Sequence, residues 1–132
     1  MRKYTSGDRS GRNPIWYWTR GLHDAMILHV EAMDLPYDHT QPKPIRNCLK
    51  IYLDSSMAMF DTSVRCIKLL NYKILLDDSA HGGYEGGGIE GCCWMQDILK
   101  YENGKYILEI TALGEDDFKF IILFDDAQIE RS

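Results

Sequence analysis

Five groups of residues in this chain could do chemistry by type and spacing. The first is His23-Asp24, an imidazole beside a carboxylate, the pairing that orients a general base. Orientation requires contact across space, and neighbours entering a strand point apart, so the plain reading is that both satisfy backbone groups at a turn. The second is a glycine-dense segment, Asp77 to Gly91, where Gly82, Gly83, Gly86, Gly87, Gly88 and Gly91 alternate with His81, Tyr84, Glu85 and Glu90. A phosphate cradle needs a helix start after its glycines, or a Gly-Lys-Ser/Thr run, and neither follows here. Tyr84 and Glu85 are instead candidate contacts of a lid, against the plainer alternative of a surface loop.

The aromatic group is Trp16, Tyr17, Trp18 and Trp94, which either line a partner surface or fill the core of a small β domain. Contiguous acids come next: Asp77-Asp78, Glu115-Asp116-Asp117 and Asp125-Asp126. A calcium loop spaces its acids alternately around a glycine, so these read as charged turns. Last are Cys48, Cys66, Cys92 and Cys93, whose spacing matches neither a disulfide scaffold nor a zinc site. Cys92 and Cys93 are adjacent and point to opposite faces of a strand, and the nearest candidate base, His81, lies on the glycine loop. Four free thiols fit a reducing cytoplasm. No metal or cofactor is expected.

The elements that position these residues show a period of two. Leu28, Val30 and Ala32 alternate with Ile27, His29 and Glu31, and Leu108 and Ile110 alternate with Ile107, Glu109 and Thr111. Strands are expected over 24–34, 47–54, 64–76 (bulged or broken near Asn71), 95–101, 105–112 and 118–124, with 125–130 continuing or ending the last. Asn103-Gly104 between apolar runs is a strong hairpin signal. Trp94, Ile98 and Tyr101 also fit helical spacing, and the hairpin decides for strand. Residues 55–63 form a connector whose Met57, Met59 and Phe60 are expected over the core. The expected fold is all-β with little helix, mainly an antiparallel meander of about six strands, curled into a sandwich or open barrel. Residues 1–14 are expected as a flexible basic arm and 15–132 as one β domain.

The chain has 132 residues and a net charge of −5, unevenly spread. Residues 1–20 hold Arg2, Lys3, Arg9, Arg12 and Arg20 against Asp8, which leaves −9 on the remainder. An acidic body repels nucleic acid and suits a basic protein partner. No apolar run approaches the ~18 residues of a membrane helix. The basic start lacks the apolar stretch of a secretory signal.

Leu22-His23-Asp24-Ala25 leads into a long strand, a second short strand follows at Asn47–Asp54, and a tryptophan-led hairpin runs from Trp94 to Tyr106. This resembles a diffuse group of small uncharacterised bacterial proteins that open with (Phe/Leu)-His-Asp-Ala, over roughly residues 16–130. Some of these look like immunity proteins of bacterial toxin systems. The resemblance implies a non-catalytic module that binds and blocks a toxin, with Asp24 and Asp97 at recurrent acidic positions. Together with the residue reading, the candidate binding residues are Trp16, Trp18, His23, Asp24, Tyr84, Glu85, Trp94 and Asp97. The alternative is a small enzyme or ligand-binding protein. Its pocket would lie under the 77–91 loop, with His23, Asp24 or His81 as acid and base. A homo-oligomer joined through a strand edge is a third reading.

Overall fold

The computed structural model describes residues 2–4, 14, 16–18, 21–36, 39–40, 42, 45–59, 61–78, 89–114 and 116–131. Among them are nine strands: β1 (Arg2–Tyr4), β2 (Met26–Asp34), β3 (Asn47–Asp54), β4 (Val64–Leu70), β5 (Lys73–Asp77), β6 (Cys93–Glu102), β7 (Lys105–Leu113), β8 (Asp117–Phe124) and β9 (Asp126–Arg131). The described residues contain no helix, so the fold is all-β. The count exceeds the six expected for two reasons. Corners at Asn71–Tyr72 and Asp125 each divide a long run into two strands, and Arg2–Tyr4, inside the basic N-terminal stretch, add a short strand paired with β6.

All pairings are antiparallel, in the order β5-β8-β7-β6-β2-β3-β4-β9. The chain passes straight from β4 to β5 and from β8 to β9, while β4 pairs β9 and β5 pairs β8. The two bent ribbons therefore run side by side through their corners and close the sheet into a barrel-like ring. At the opposite seam β2 meets β6 through Met26 and Cys93, and backbone bonds extend the contact. The Trp94 amide donates to the Ala25 carbonyl at 2.7 Å, and the Asp24 and Ile27 amides donate to the Trp94 and Cys92 carbonyls. Closure protects sheet edges that would otherwise be left unpaired.

The corners are built by specific residues. Asn71 has φ 52°, a left-handed conformation that asparagine tolerates better than most residues. Its side chain accepts from the Arg46 amide at 2.7 Å and donates to Asp125 Oδ2 at 3.0 Å, joining both bends. Lys105 Nζ pairs with the other Asp125 oxygen. The β6–β7 hairpin turns at Asn103 (φ 54°) and Gly104 (φ 77°) between the paired residues Glu102 and Lys105. Two consecutive positive φ values make the two-residue turn whose twist matches its strands, as the Asn-Gly pair implies.

Strict alternation fails at four bulges, where Leu28, Arg65, Leu75 and Met95 are the extra residues. A bulge shifts every later side chain by one position relative to the partner strand. In β2, Ile27 and Val30 therefore both face the core, while Leu28 turns outward. In β6, Trp94, Asp97 and Leu99 are all buried. The helix-like spacing after Trp94 is thus a bulged strand. The core inside the ring is dominated by Ile27, Ile51, Ile67, Leu99, Leu108 and Phe124, all essentially without solvent contact. Each such side chain contributes about 1.5–3 kcal/mol through burial.

Candidate functional site

Three of the candidate residues meet in one place. Trp18 and Trp94 pack edge to face at 5.4 Å, and Tyr17 lies 4.8 Å from Trp18. All three aim a donor at Asp97. Trp18 Nε1–H and Trp94 Nε1–H donate to Oδ2 at 3.0 and 2.9 Å, and the Tyr17 hydroxyl donates to Oδ1. Buried indole and phenol groups need acceptors, and one carboxylate serves all three. The bulge at Met95 makes this arrangement feasible by turning Trp94 and Asp97 to the same side. The cluster is sealed: Trp18 and Trp94 are fully buried and Asp97 nearly so. As contact residues for a partner, Trp18, Trp94 and Asp97 are therefore misplaced. Their chemistry is spent on tying the 16–18 segment to the barrel.

Trp16 is half-buried and stands edge-on to Tyr106 at 5.2 Å and Phe124 at 5.8 Å. His23 and Asp24 lie in the turn before β2, with His23 Nε2 3.6 Å from Asp24 Oδ1 and both side chains partly exposed. His23 Nδ1–H donates to the Met95 carbonyl at 2.8 Å, satisfying an acceptor at the β6 bulge. Tyr84, Glu85 and His81 lie outside the described residues. The end of their segment is anchored, because Ile89 is in the core and Glu90 accepts from the His29 ring and the Val30 amide at 2.8 and 3.0 Å. Those two bonds, led by the Val30 amide, hold the Glu90 carboxyl below its ordinary range.

Beside His23 and Asp24 is a surface that the sequence patterning misplaces. The 55–63 connector does not lay its methionines over the core: Met57 is 80% and Met59 60% exposed. Leu28 (51%) and Met26 (44%) are exposed toward the same end of the barrel, where the Met59 amide donates to the His23 carbonyl and Met26 pairs with Asp54. The bulge that expels Leu28 enlarges this apolar patch. Asp24 and Asp54, both exposed, border it. The Asp54 carboxyl is held low by the Ser56 hydroxyl and amide, so it stays charged.

The turn that presents the methionines is firmly built. Buried Ser55 donates to the Val64 carbonyl at 2.7 Å and accepts from Arg65 at 2.7 Å. Asp61 accepts from the Ser63 amide and hydroxyl and from Arg131 Nη1 at 2.9 Å. Its own amide donates to the Gly21 carbonyl. Burial alone would raise the Asp61 carboxyl, but the Ser63 and Arg131 bonds outweigh it and leave the group below its usual value.

At the opposite end of the barrel an open depression of ≈ 420 Å³ is lined by Ile45, Leu70, Tyr101, Tyr106, Asp125 and Asp126, among others. Asp125 is already held there by Lys105 and Asn71. None of the four cysteines forms a disulfide. Burial pushes the Cys48 and Cys66 thiols up, which keeps them protonated and unsuited to nucleophilic attack. Among the described residues, no three His, Cys, Asp or Glu side chains are grouped to hold a metal. No helix among those residues is long and apolar enough to cross a membrane. Comparison with protein-family models, with curated proteins and with solved structures finds no match.

Proposed function

We propose that this protein is a non-catalytic binding module for a basic protein partner, acting in the cytoplasm as an immunity-type inhibitor of a bacterial toxin. The observation that carries the reading is the Met26, Leu28, Met57 and Met59 surface with Asp24 and Asp54 at its border. Methionine side chains adapt to irregular apolar surfaces and are over-used where one protein grips another. An acidic rim suits a partner segment that carries lysine or arginine around apolar anchors. The −9 charge beyond residue 20 would steer such a partner from a distance. The resemblance carried by Leu22-His23-Asp24-Ala25 supplies the inhibitor role, and four free thiols support a reducing compartment.

The test is capture from the native lysate by the full chain, at low and high salt, beside a Met57→Ser/Met59→Ser variant. A basic protein held by the parent chain, weakened by salt and lost with the variant, is the expected result. That protein should arrest growth when expressed alone and be tolerated when co-expressed with this chain. Retention of the same proteins by parent and variant would overturn the reading.

A further inference from the structure

The open depression at the end of the barrel away from the methionine surface has a one-sided chemistry. Its volume of ≈ 420 Å³ falls in the range of small-ligand sites, roughly 300–1,000 Å³. Two tyrosines of the β6–β7 hairpin line one side. Tyr101 and Tyr106 are directly opposed across the hairpin, with ring centroids 4.7 Å apart. Tyr106 stacks on Phe124 at 5.6 Å, which fixes its ring, and Tyr101 is 36% exposed. Ile45 and Leu70 supply apolar lining, and Asp125 and Asp126 supply two carboxylates. No lysine, arginine or histidine among the described residues lines the depression.

The two carboxylates are not equivalent. Asp125 pairs with Lys105 and accepts from Asn71, so its charge is already met. Asp126 is exposed, and its Oδ1 accepts from the Ala127 amide at 2.9 Å. Among the described residues Asp126 forms no ion pair. An uncompensated carboxylate beside aromatic rings, in a recess without cations, attracts a cation. The lining favours one kind. A guanidinium is planar, stacks on an aromatic ring and donates in its plane to a carboxylate, whereas an ammonium is a compact, strongly hydrated charge. Ile45 and Leu70 suit the aliphatic stem that such a group carries. We propose that this depression binds an alkylguanidinium, the side-chain chemistry of arginine, with Tyr101 and Tyr106 as its aromatic face and Asp126 as its counter-charge. Two sources offer this group, free arginine and an arginine within a polypeptide. The site is separate from the methionine surface and does not rest on the binding-module reading.

Titrations of the full chain, followed by NMR of its tyrosine rings, test the assignment. The probes are free arginine, acetyl-arginine amide and acetyl-citrulline amide, the last matching the shape of arginine without its charge. Both arginine probes should shift the Tyr101 and Tyr106 signals saturably, and the citrulline should bind at least about tenfold more weakly. Asp126→Asn keeps an acceptor for the Ala127 amide and removes only the charge, so it should weaken arginine binding about tenfold. Tyr101→Leu should weaken it about two- to fivefold. Glu102→Gln removes an exposed acid of the same hairpin outside the lining and should leave the affinity unchanged. Tighter binding of free arginine would assign the free amino acid as ligand, tighter binding of the amide an arginine within a polypeptide, and equal binding would place recognition in the side chain alone. No saturable shift with either arginine probe, equal binding of the citrulline, or equal losses in Asp126→Asn and Glu102→Gln would each overturn the proposal.

Discussion

Replacing Asp97 offers the sharpest measurement of what holds this barrel together. In Asp97→Ala the indole N–H groups of Trp18 and Trp94 and the Tyr17 hydroxyl lose their shared acceptor. Trp18 and Trp94 are fully buried, so water cannot take its place. Each orphaned donor costs about 1–3 kcal/mol, and the set should cost at least about 3 kcal/mol. A domain of this kind is stable by about 5–15 kcal/mol, so the variant still folds but its urea midpoint falls clearly. Asp97→Asn is the control. Its carbonyl oxygen can serve both indoles, as Oδ2 does, while its NH₂ meets a tyrosine hydroxyl that is able to accept. The asparagine loss should therefore be only about 1–1.5 kcal/mol. Urea unfolding followed by tryptophan fluorescence reads the difference, since two of the three tryptophans touch this carboxylate. Equal losses in the two variants, or an alanine loss below about 1 kcal/mol, would refute the claim that acceptor supply governs the cluster.

Three further outcomes follow from the same geometry. The Asp61 carboxyl titrates lower in the folded chain than in the unfolded one, so its stabilising effect is full above the unfolded value and fades as pH falls through the folded one. Urea midpoints should therefore drop below about pH 4, and less steeply in Asp61→Asn. At the hairpin, a Cβ on Gly104 meets nothing within 4 Å while φ is +77°, so Gly104→Ala should cost only its backbone strain, about 1 kcal/mol by chemical denaturation. At the corner, Asn71→Gly keeps the left-handed conformation and loses the bonds to Arg46 and Asp125, whereas Asn71→Ala loses both. The alanine variant should therefore be the less stable by about 1 kcal/mol, and equal midpoints would remove the φ argument.

Much of the secondary structure is legible locally. The Asn103-Gly104 turn, the strand from Asn47 to Asp54 and the break at Asn71 each follow from residues within a few positions of one another. Backbone preference and two-residue alternation are short-range properties, so a linear reading captures them. The candidate site was less legible. Nothing in the spacing of Trp16, Trp18 and Trp94 distinguishes an aromatic surface from a core, and the apolar character of Met57 and Met59 in the connector suggested a place over the core when both are exposed.

The amino-acid order alone determined an all-β chain, its hairpin and its acidic charge. Tertiary structure alone decided where strands slip. Bulges at Leu28 and Met95 arise from register against partner strands, so no local pattern announces them. One bulge turns Leu28 out to the solvent. The other turns Trp94 and Asp97 in, where Trp18, 79 residues distant in sequence, completes the cluster. Closure of the ring sets these meetings, because only there do chain segments far apart in sequence share one interior.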